Sequence, residues 1–593
     1  MNRNVESHFS QIPNANIQRS IFDRSSGHKT SFNVGELIPL YVDEILPGDS
    51  VNITSSKVLR LQTLLTPIMD NVYLDTYWFF VPNRLLWNHW KEFCGENTES
   101  AWVPTTTYEI PTIKSPEGGF DVGTIADYMG LPVNKDFTDA RRPSALPFRA
   151  YALICDQFFR DQNLSDPLNI PLGDAIQQGS NGGNYISDVA NGGKPFKVAK
   201  YHDYFTSCLP SPQKGQAPSV KIGSDFVGGY FPVITRDQFH DLSLYNNTFN
   251  TANALRFYTR PTPSITNITS TDAPASFNDV GSHQILTVST QKGSGFGNEL
   301  ACSAQVLWNG NPQYRDDEPN GRSQAPVWPA NLWASVPSQS LSGSPIDINQ
   351  LRLAFQAQRF LERNARGGTR YVEILQSHFG VTSPDARLQR PEYLGGNRIS
   401  LNINSVSNTA QTDKDFLGDL GANSVTSDVH TDVIKSFTEH GYLMCVGCVR
   451  YDHTYSQGME RFWTRRQFTE FFLPVFSNVG EQPVYTDELY YVGNDDVFGY
   501  QEAWADYRYK PNRVSGLMRP DVANTLAYWH LADNYSSAPT LSDSWIREDT
   551  GTVDRVLAVS SSNTSQVFCD IYFKAIYTRP MPMYSVPGLI DHN

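Results

Sequence analysis

The sequence predicts a mainly β protein in which one sheet domain is interrupted by long insertions. Three observations predict it. Strand-length runs lie near both ends of the chain, at 38–81 and again at 441–452 and 567–578. The stretch between 165 and 345 is dominated by Gly, Pro, Ser, Asn and Thr. Helical periodicity is confined to a few segments. At roughly 150 residues per domain, 593 residues would suggest about four domains. If strands from opposite ends share a sheet, the chain is instead one domain with large insertions. No period of about 20–50 residues recurs, which argues against a solenoid or propeller.

The elements follow in order. Ile38–Ile45, the turn Pro47-Gly48-Asp49 and Val51–Leu65 read as strand, turn, strand. Val72, Leu74, Thr76, Trp78 and Phe80 alternate with Tyr73, Asp75, Tyr77, Phe79 and Val81, and Pro82 ends the run. Asn83–Phe93 follows as a helix, with Asn83 at its N-cap and Gly95 just past its end. Phe148, Tyr151, Cys155, Phe158, Phe159 and Gln162 have helical spacing within Pro147–Asn163. The loop-rich middle holds short strand signals at Gln284–Ser289 and Ala301–Trp308. A helix runs from Asp347 to Arg366, with a capping-box spacing between Asp347 and Gln350, and Gly367-Gly368 stops it. Gly441–Asp452 is a nearly continuous apolar strand. Val567–Thr578 alternates, with Val567, Cys569, Ile571, Phe573, Ala575 and Tyr577 on one face.

Composition bounds the function. The net charge is −14, so a bulk-basic nucleic-acid binder is excluded. Charged residues make up 18% of the chain, against roughly 25% for a typical soluble protein. Aromatic residues make up 12%. Few charges and many aromatics suit a subunit with much of its surface buried against other subunits. Apolar content of 39% excludes intrinsic disorder. No run approaches the roughly 18 apolar residues of a membrane span. Met1–Ser10 has Arg3, Glu6 and His8 and no apolar stretch, so it is not read as a secretory signal. The seven cysteines are scattered and odd in number, which predicts reduced thiols rather than a disulfide framework.

Catalytic signatures are missing: no H-E-x-x-H, no G-x-S-x-G, no P-loop and no dinucleotide-binding glycine motif. Cys445-Val446-Gly447-Cys448 has metal-site spacing but lies in a strand, where residues three apart face opposite ways. The expectation is two buried thiols and no metal or other cofactor. Asp316, Asp317 and Glu318 read as a solvated acidic turn, with calcium as the alternative.

Two basic segments stand out. In the helix at 347–366, Leu351, Leu353, Ala354, Phe355, Ala357, Phe360 and Leu361 form an apolar arc of about 220°. Arg352, Arg359, Arg363 and Arg366 line up on the other side, and Arg370 would extend the stripe if the axis continued. A line of arginines on an acidic protein points to an anionic ligand, with nucleic-acid phosphate the natural one; the alternatives are a solvated face with Glu362 as a local partner, or pairing with a neighbouring subunit's carboxylates. The second segment contains Arg461, Trp463, Arg465 and Arg466. Interleaved arginine and aromatic residues suit single-stranded nucleic acid, or a protein–protein contact.

Several longer strings add a resemblance. Arg19–Ser25, His28–Phe32, Leu46–Asp49, Tyr77–Pro82, Leu146–Tyr151, Phe159–Asn163, Arg366–Tyr371, Arg390–Gly396 and Tyr584–Leu589 resemble capsid proteins of the Microviridae, small single-stranded DNA phages, in their gokushovirus branch. The resemblance implies a viral eight-stranded antiparallel jelly roll spanning 1–593, with long inter-strand insertions containing a few helices. It implies a T=1 icosahedral shell of sixty copies enclosing a circular single-stranded DNA genome. It further implies a surface protrusion at the threefold axis, placed within 216–324, that serves in host attachment. The partners it implies are an internal scaffolding protein, a DNA pilot protein and a small basic DNA-binding protein of the same virus, and a bacterial surface receptor. The protein would be made in the host bacterial cytoplasm and reside in the virion. The competing reading is a large β-sandwich carbohydrate-active protein, a lectin or glycosidase, stacking sugars on Trp308, Trp328 or Trp333.

Overall fold

The computed structural model describes residues 18–99, 106–218, 348–409, 417–477 and 479–584, with the backbone of short strands between 233 and 334. Eight long strands build the centre: β1 (Ser26–Phe32), β2 (Glu36–Ile45), β3 (Ser50–Leu61), β4 (Val72–Pro82), β5 (Glu392–Ser400), β6 (Thr426–Ser436), β7 (Gly441–Tyr451) and β8 (Val567–Arg579). One sheet has the order β1-β8-β3-β6, and the short strand Ser20–Asp23 also pairs with β8. The other has the order β5-β4-β7-β2, extended at the β2 edge by Phe196–Lys197. All of these pairings are antiparallel. Strands consecutive in the chain thus alternate between sheets almost throughout, which is the jelly roll. Strands near the two ends share a sheet, as β1 and β8 do.

The two sheets enclose a core that includes Ile38, Leu40, Ile53, Trp78, Cys445, Ile571 and Phe573. The far face of the β5-β4-β7-β2 sheet is covered by the long β4–β5 insertion. Phe79, Val81, Met444, Val446 and Cys448 pack there against Phe148, Tyr151 and Ile154 of α1 (Leu146–Ile154). Burial on both faces explains why β7 reads as an unbroken apolar run. By contrast, β8 alternates strictly because only one of its faces meets the core. A third cluster, with Phe205, Tyr455, Val484 and Phe498, joins the β4–β5 insertion to the one between β7 and β8.

Two expected helices are cut short. Asn83–Phe93 is not one helix. It is a 3-10 turn at Asn83–Leu85 and a single α turn at Trp90–Phe93, and the Asn83 side chain caps neither. The Asn88 N–H leaves the helical ladder to donate to Leu172 O at 3.1 Å, and Leu86 and Trp87 sink fully into the second core. Gly95 does end the segment, at φ +102°. After α1, the predicted helix loosens into a π turn at Cys155–Phe159 and ends there. That turn lets Phe158 and Phe159 meet the rings of Phe79 and Tyr77, with centroids 4.7 and 5.2 Å apart. The helix at 347–366 forms α2 (Ile348–Gly367), and α3 (Tyr371–Phe379) follows. Asp347, the expected cap, lies outside the described residues.

The chain divides into two compact units, 218–356 and the remainder. The first contains a hairpin of Ile285–Gln291 with Ala301–Trp308, matching the expected strands, and three further antiparallel pairs. The remainder holds the jelly roll.

Two buried ionic clusters tie the insertions to the sheets. Asp75 on β4 accepts hydrogen bonds from Arg450 on β7 (2.6 Å), Arg398 on β5 (2.8 Å) and Tyr201 of the insertion (2.7 Å). His453, just past β7, sits between Asp533 (2.9 Å) and Glu548 (3.0 Å), and Lys200 closes on Asp533 at 3.3 Å.

Candidate nucleic-acid interface

On α2, Arg352, Arg359 and Arg363 are exposed and have no ion-pair partner among the described residues. Arg366 is exposed too, but it is held within the chain. Its guanidinium pairs with Glu481 at 2.5 Å and Glu502 at 3.2 Å. Burial raises the Glu481 carboxyl above the usual carboxylate range, against the opposing pull of Arg366. Arg370 leaves the stripe altogether. Gly368, at φ +85°, breaks the axis, and Arg370 turns inward to donate to the carbonyls of Asp156 and Arg160 at 2.5 and 3.1 Å. The stripe therefore has three arginines available to a ligand and a fourth anchored at its end.

Among the described residues, the apolar arc of α2 is only partly covered. Leu353, Phe355 and Phe360 are 70%, 61% and 50% exposed, and only Asn364 and Ala365 of this helix are buried. An amphipathic helix that leaves its apolar side in water marks a surface meant for contact.

The second basic segment is rearranged relative to the sequence reading. Arg461 donates to Pro483 O at 2.9 Å and stands over the Tyr485 ring, 5.6 Å from its centroid. Arg465 pairs with Asp506 and lies 4.2 Å from the centre of the Tyr507 ring. These two arginines hold the loop in place. Arg466 is exposed, and its backbone N–H donates to Glu470 at 2.5 Å. Trp463 is 67% exposed and rests against Phe462 with centroids 4.6 Å apart. Phe468, Phe471 and Phe472 are exposed beside it in the sequence.

The fold adds residues that the sequence reading missed. Lys510 reaches over the Phe462 ring at 5.8 Å, and Lys510 and Arg513 both pair with Glu460, at 3.5 and 3.2 Å. Their own spacing carried a weak signal, Lys510-Pro511-Asn512-Arg513, but nothing local links it to Phe462.

The Cys445–Cys448 pair follows the strand argument. Cys445 faces the core between the sheets, and Cys448 faces the second core. Burial pushes the Cys448 thiol up to about 12 and the Cys445 thiol well above its ordinary value, so neither offers a thiolate. Asp316, Asp317 and Glu318 lie outside the described residues. So do the side chains of Trp308, Trp328 and Trp333, and the carbohydrate-active reading gains no geometry from them.

Comparison with known proteins is consistent along the whole chain. Residues 10–589 match the family described as capsid protein (F protein). The capsid protein VP1 of Spiroplasma virus 4 is 40% identical over 572 residues, covering 95% of this chain and 94% of that one. The capsid protein VP1 of Chlamydia phage 1 is 38% identical, covering 99% and 98%. That of Bdellovibrio phage phiMH2K is 37% identical, again covering 99% and 98%. With the strand order of a viral jelly roll and this match from end to end, the chain belongs to the capsid protein (F protein) family, as a gokushovirus-type major capsid protein of the Microviridae and a structural, non-enzymatic component of the phage particle.

Proposed function

We propose that sixty copies of the chain close into a T=1 icosahedral shell around a circular single-stranded DNA genome. The observation that carries this reading is the apolar and aromatic surface left uncovered on the subunit, including Phe355, Phe360, Trp463 and Phe468. Burying such surface between identical copies under closed symmetry supplies the free energy of assembly. Sedimentation and negative-stain microscopy of purified protein test it. Uniform closed particles of the mass of sixty chains are expected, and a stable monomer at all concentrations would overturn it.

In this reading Arg352, Arg359 and Arg363 face the packaged DNA, with Arg366 fixing the end of the stripe. Trp463 and Arg466 form a second contact, while Arg461 and Arg465 position that loop. A subunit of net charge −14 cannot neutralise a polyanion as a whole, so local basic surface must do so. A small basic protein of the same virus supplies further charge, and an internal scaffolding protein and a DNA pilot protein take part in assembly and delivery. The double variant Arg359→Glu/Arg363→Glu is expected to form shells whose DNA content falls severalfold, read as the absorbance ratio at 260 and 280 nm of purified particles. Unchanged DNA content would remove the stripe from the interface.

The insertion within 216–324 forms the threefold protrusion and meets a bacterial surface receptor. Support comes from the separate compact unit at 218–356, inserted between two strands of the sandwich. Subunits are made in the host cytoplasm. Among the described residues, no helix is long and apolar enough to cross a membrane.

A further inference from the structure

One amine inside the jelly roll has no hydrogen-bond acceptor. Lys57 lies on β3 with its side chain turned between the sheets and 1% exposed, and its Nζ makes no hydrogen bond. Two carboxylates of the neighbouring strand β6 flank it, Asp432 Oδ1 at 3.7 Å and Asp428 Oδ2 at 3.8 Å. Asp428 stands directly across the ladder from Lys57. Asp432 is the extra residue of a bulge between Thr431 and Val433, and its side chain is fully buried. Its carboxyl is oriented by two neighbours: Ser55 Oγ donates to Oδ2, and His430 Nδ1 lies 2.9 Å from Oδ1. Asn397 Nδ2 on β5 donates to Asp428 Oδ2 at 2.8 Å. An amine, an oriented carboxyl and a second carboxylate are thus gathered on adjacent strands, with Lys57 and Asp432 shielded from water and Asp428 partly exposed at the rim.

We propose that Lys57 and Asp432 become joined by an amide bond within the folded subunit. A proton passes from the Lys57 ammonium to the Asp432 carboxylate, and the freed Nζ lone pair attacks Cγ of that carboxyl. The Ser55 hydroxyl, already donating to this carboxyl, stabilises the charge that develops on its oxygen. Asp428 takes a proton from Nζ and returns it to the departing hydroxyl. The C–O bond breaks, one water leaves, and a secondary amide remains. No electrons change hands and no co-reactant is needed. Holding the two groups together in one geometry supplies the effective concentration the condensation requires. An ammonium and a carboxylate are costly to keep out of water, and the amide removes both charges. Exclusion of water protects the product from hydrolysis. The bond would lock the edge strand β6 to β3 against peeling.

Intact mass under denaturing conditions tests it on the shell protein itself. The expected mass is lower than the sequence value by one water. The digest should contain a branched peptide linking the segment around Lys57 to the segment around Asp432. Lys57→Arg and Asp428→Asn are each expected to restore the full mass. A wild-type chain at full mass overturns the proposal, as does a water loss that maps within a single unbranched peptide. If Lys57→Arg fails to fold, the wild-type mass and Asp428→Asn still decide. Persistence of the link in Asp428→Asn overturns the proton relay.

Discussion

Replacing His453 by leucine is expected to destabilise the subunit by about 3–5 kcal/mol, the range for breaking a buried ion pair and leaving its partners charged. His453 is 1% exposed and bridges two carboxylates that are themselves buried, Asp533 and Glu548. Lys200 and Tyr535 reach Asp533 from the other side, at 3.3 and 2.7 Å, and the Tyr451 ring lies against the imidazole. Burial alone would lower the His453 pKa. The two carboxylates outweigh it and raise the pKa from 6.5 to about 9. A folded-state value above the unfolded one gives stability that is fully present below about pH 6.5 and lost as pH rises through about 9. The amount is about 3 kcal/mol. Asp533 is shifted the opposite way, held low by His453 and Lys200, so its contribution is lost only in strong acid. Thermal unfolding between pH 7 and 10 is the measurement. The wild-type midpoint should fall across this interval, and His453→Leu should lack that alkaline step. An identical alkaline profile in the two proteins would contradict the assignment.

Asp75→Ala is expected to cost about 3–5 kcal/mol for a related reason. The Asp75 carboxylate is 2% exposed and joins strands β4, β5 and β7 to Tyr201 of the insertion. Arg450 also donates to Tyr77 Oη at 2.8 Å and lies over the Tyr201 ring. Removing the carboxylate leaves the largely buried Arg450 guanidinium without its ion-pair partner. Asp75→Leu combined with Arg450→Met should recover much of the loss, because no buried charge is then stranded. Denaturant titration of the wild type and these two variants reads this directly. A single-variant effect below about 1 kcal/mol would mean that solvent reaches the cluster.

The strands that were legible in the sequence are those with a strong burial contrast or a strong apolar run. β8 shows its alternation because one face meets the core and the other does not. β7 shows an apolar run because both faces are covered. β1, β5 and β6 were not identified from periodicity. Their sequences are rich in Ser, Thr, Gly, Asn and Asp, and each lies at the edge of its sheet, with few deeply buried positions. The helix at 347–366 was legible from its spacing, but its setting was not. An apolar arc looks the same whether it will face the chain's own core or another molecule.

The sequence by itself determined the β class, the absence of a charge balance suited to bulk nucleic-acid binding, and, through its long strings, the family. These follow from local spacing, composition and contiguous residues. Only the tertiary structure decided which arginines are available. Arg359 and Arg363 remain open to solvent, while Arg366, Arg461 and Arg465 are engaged by Glu481, Pro483 and Asp506 from distant segments. It also decided that Lys57 faces inward between two aspartates and that His453 meets Asp533 and Glu548. The physical reason is that a charged side chain's role is set by its partners within a few ångströms. In a jelly roll those partners come from strands and insertions far apart in the chain, beyond the reach of any local pattern.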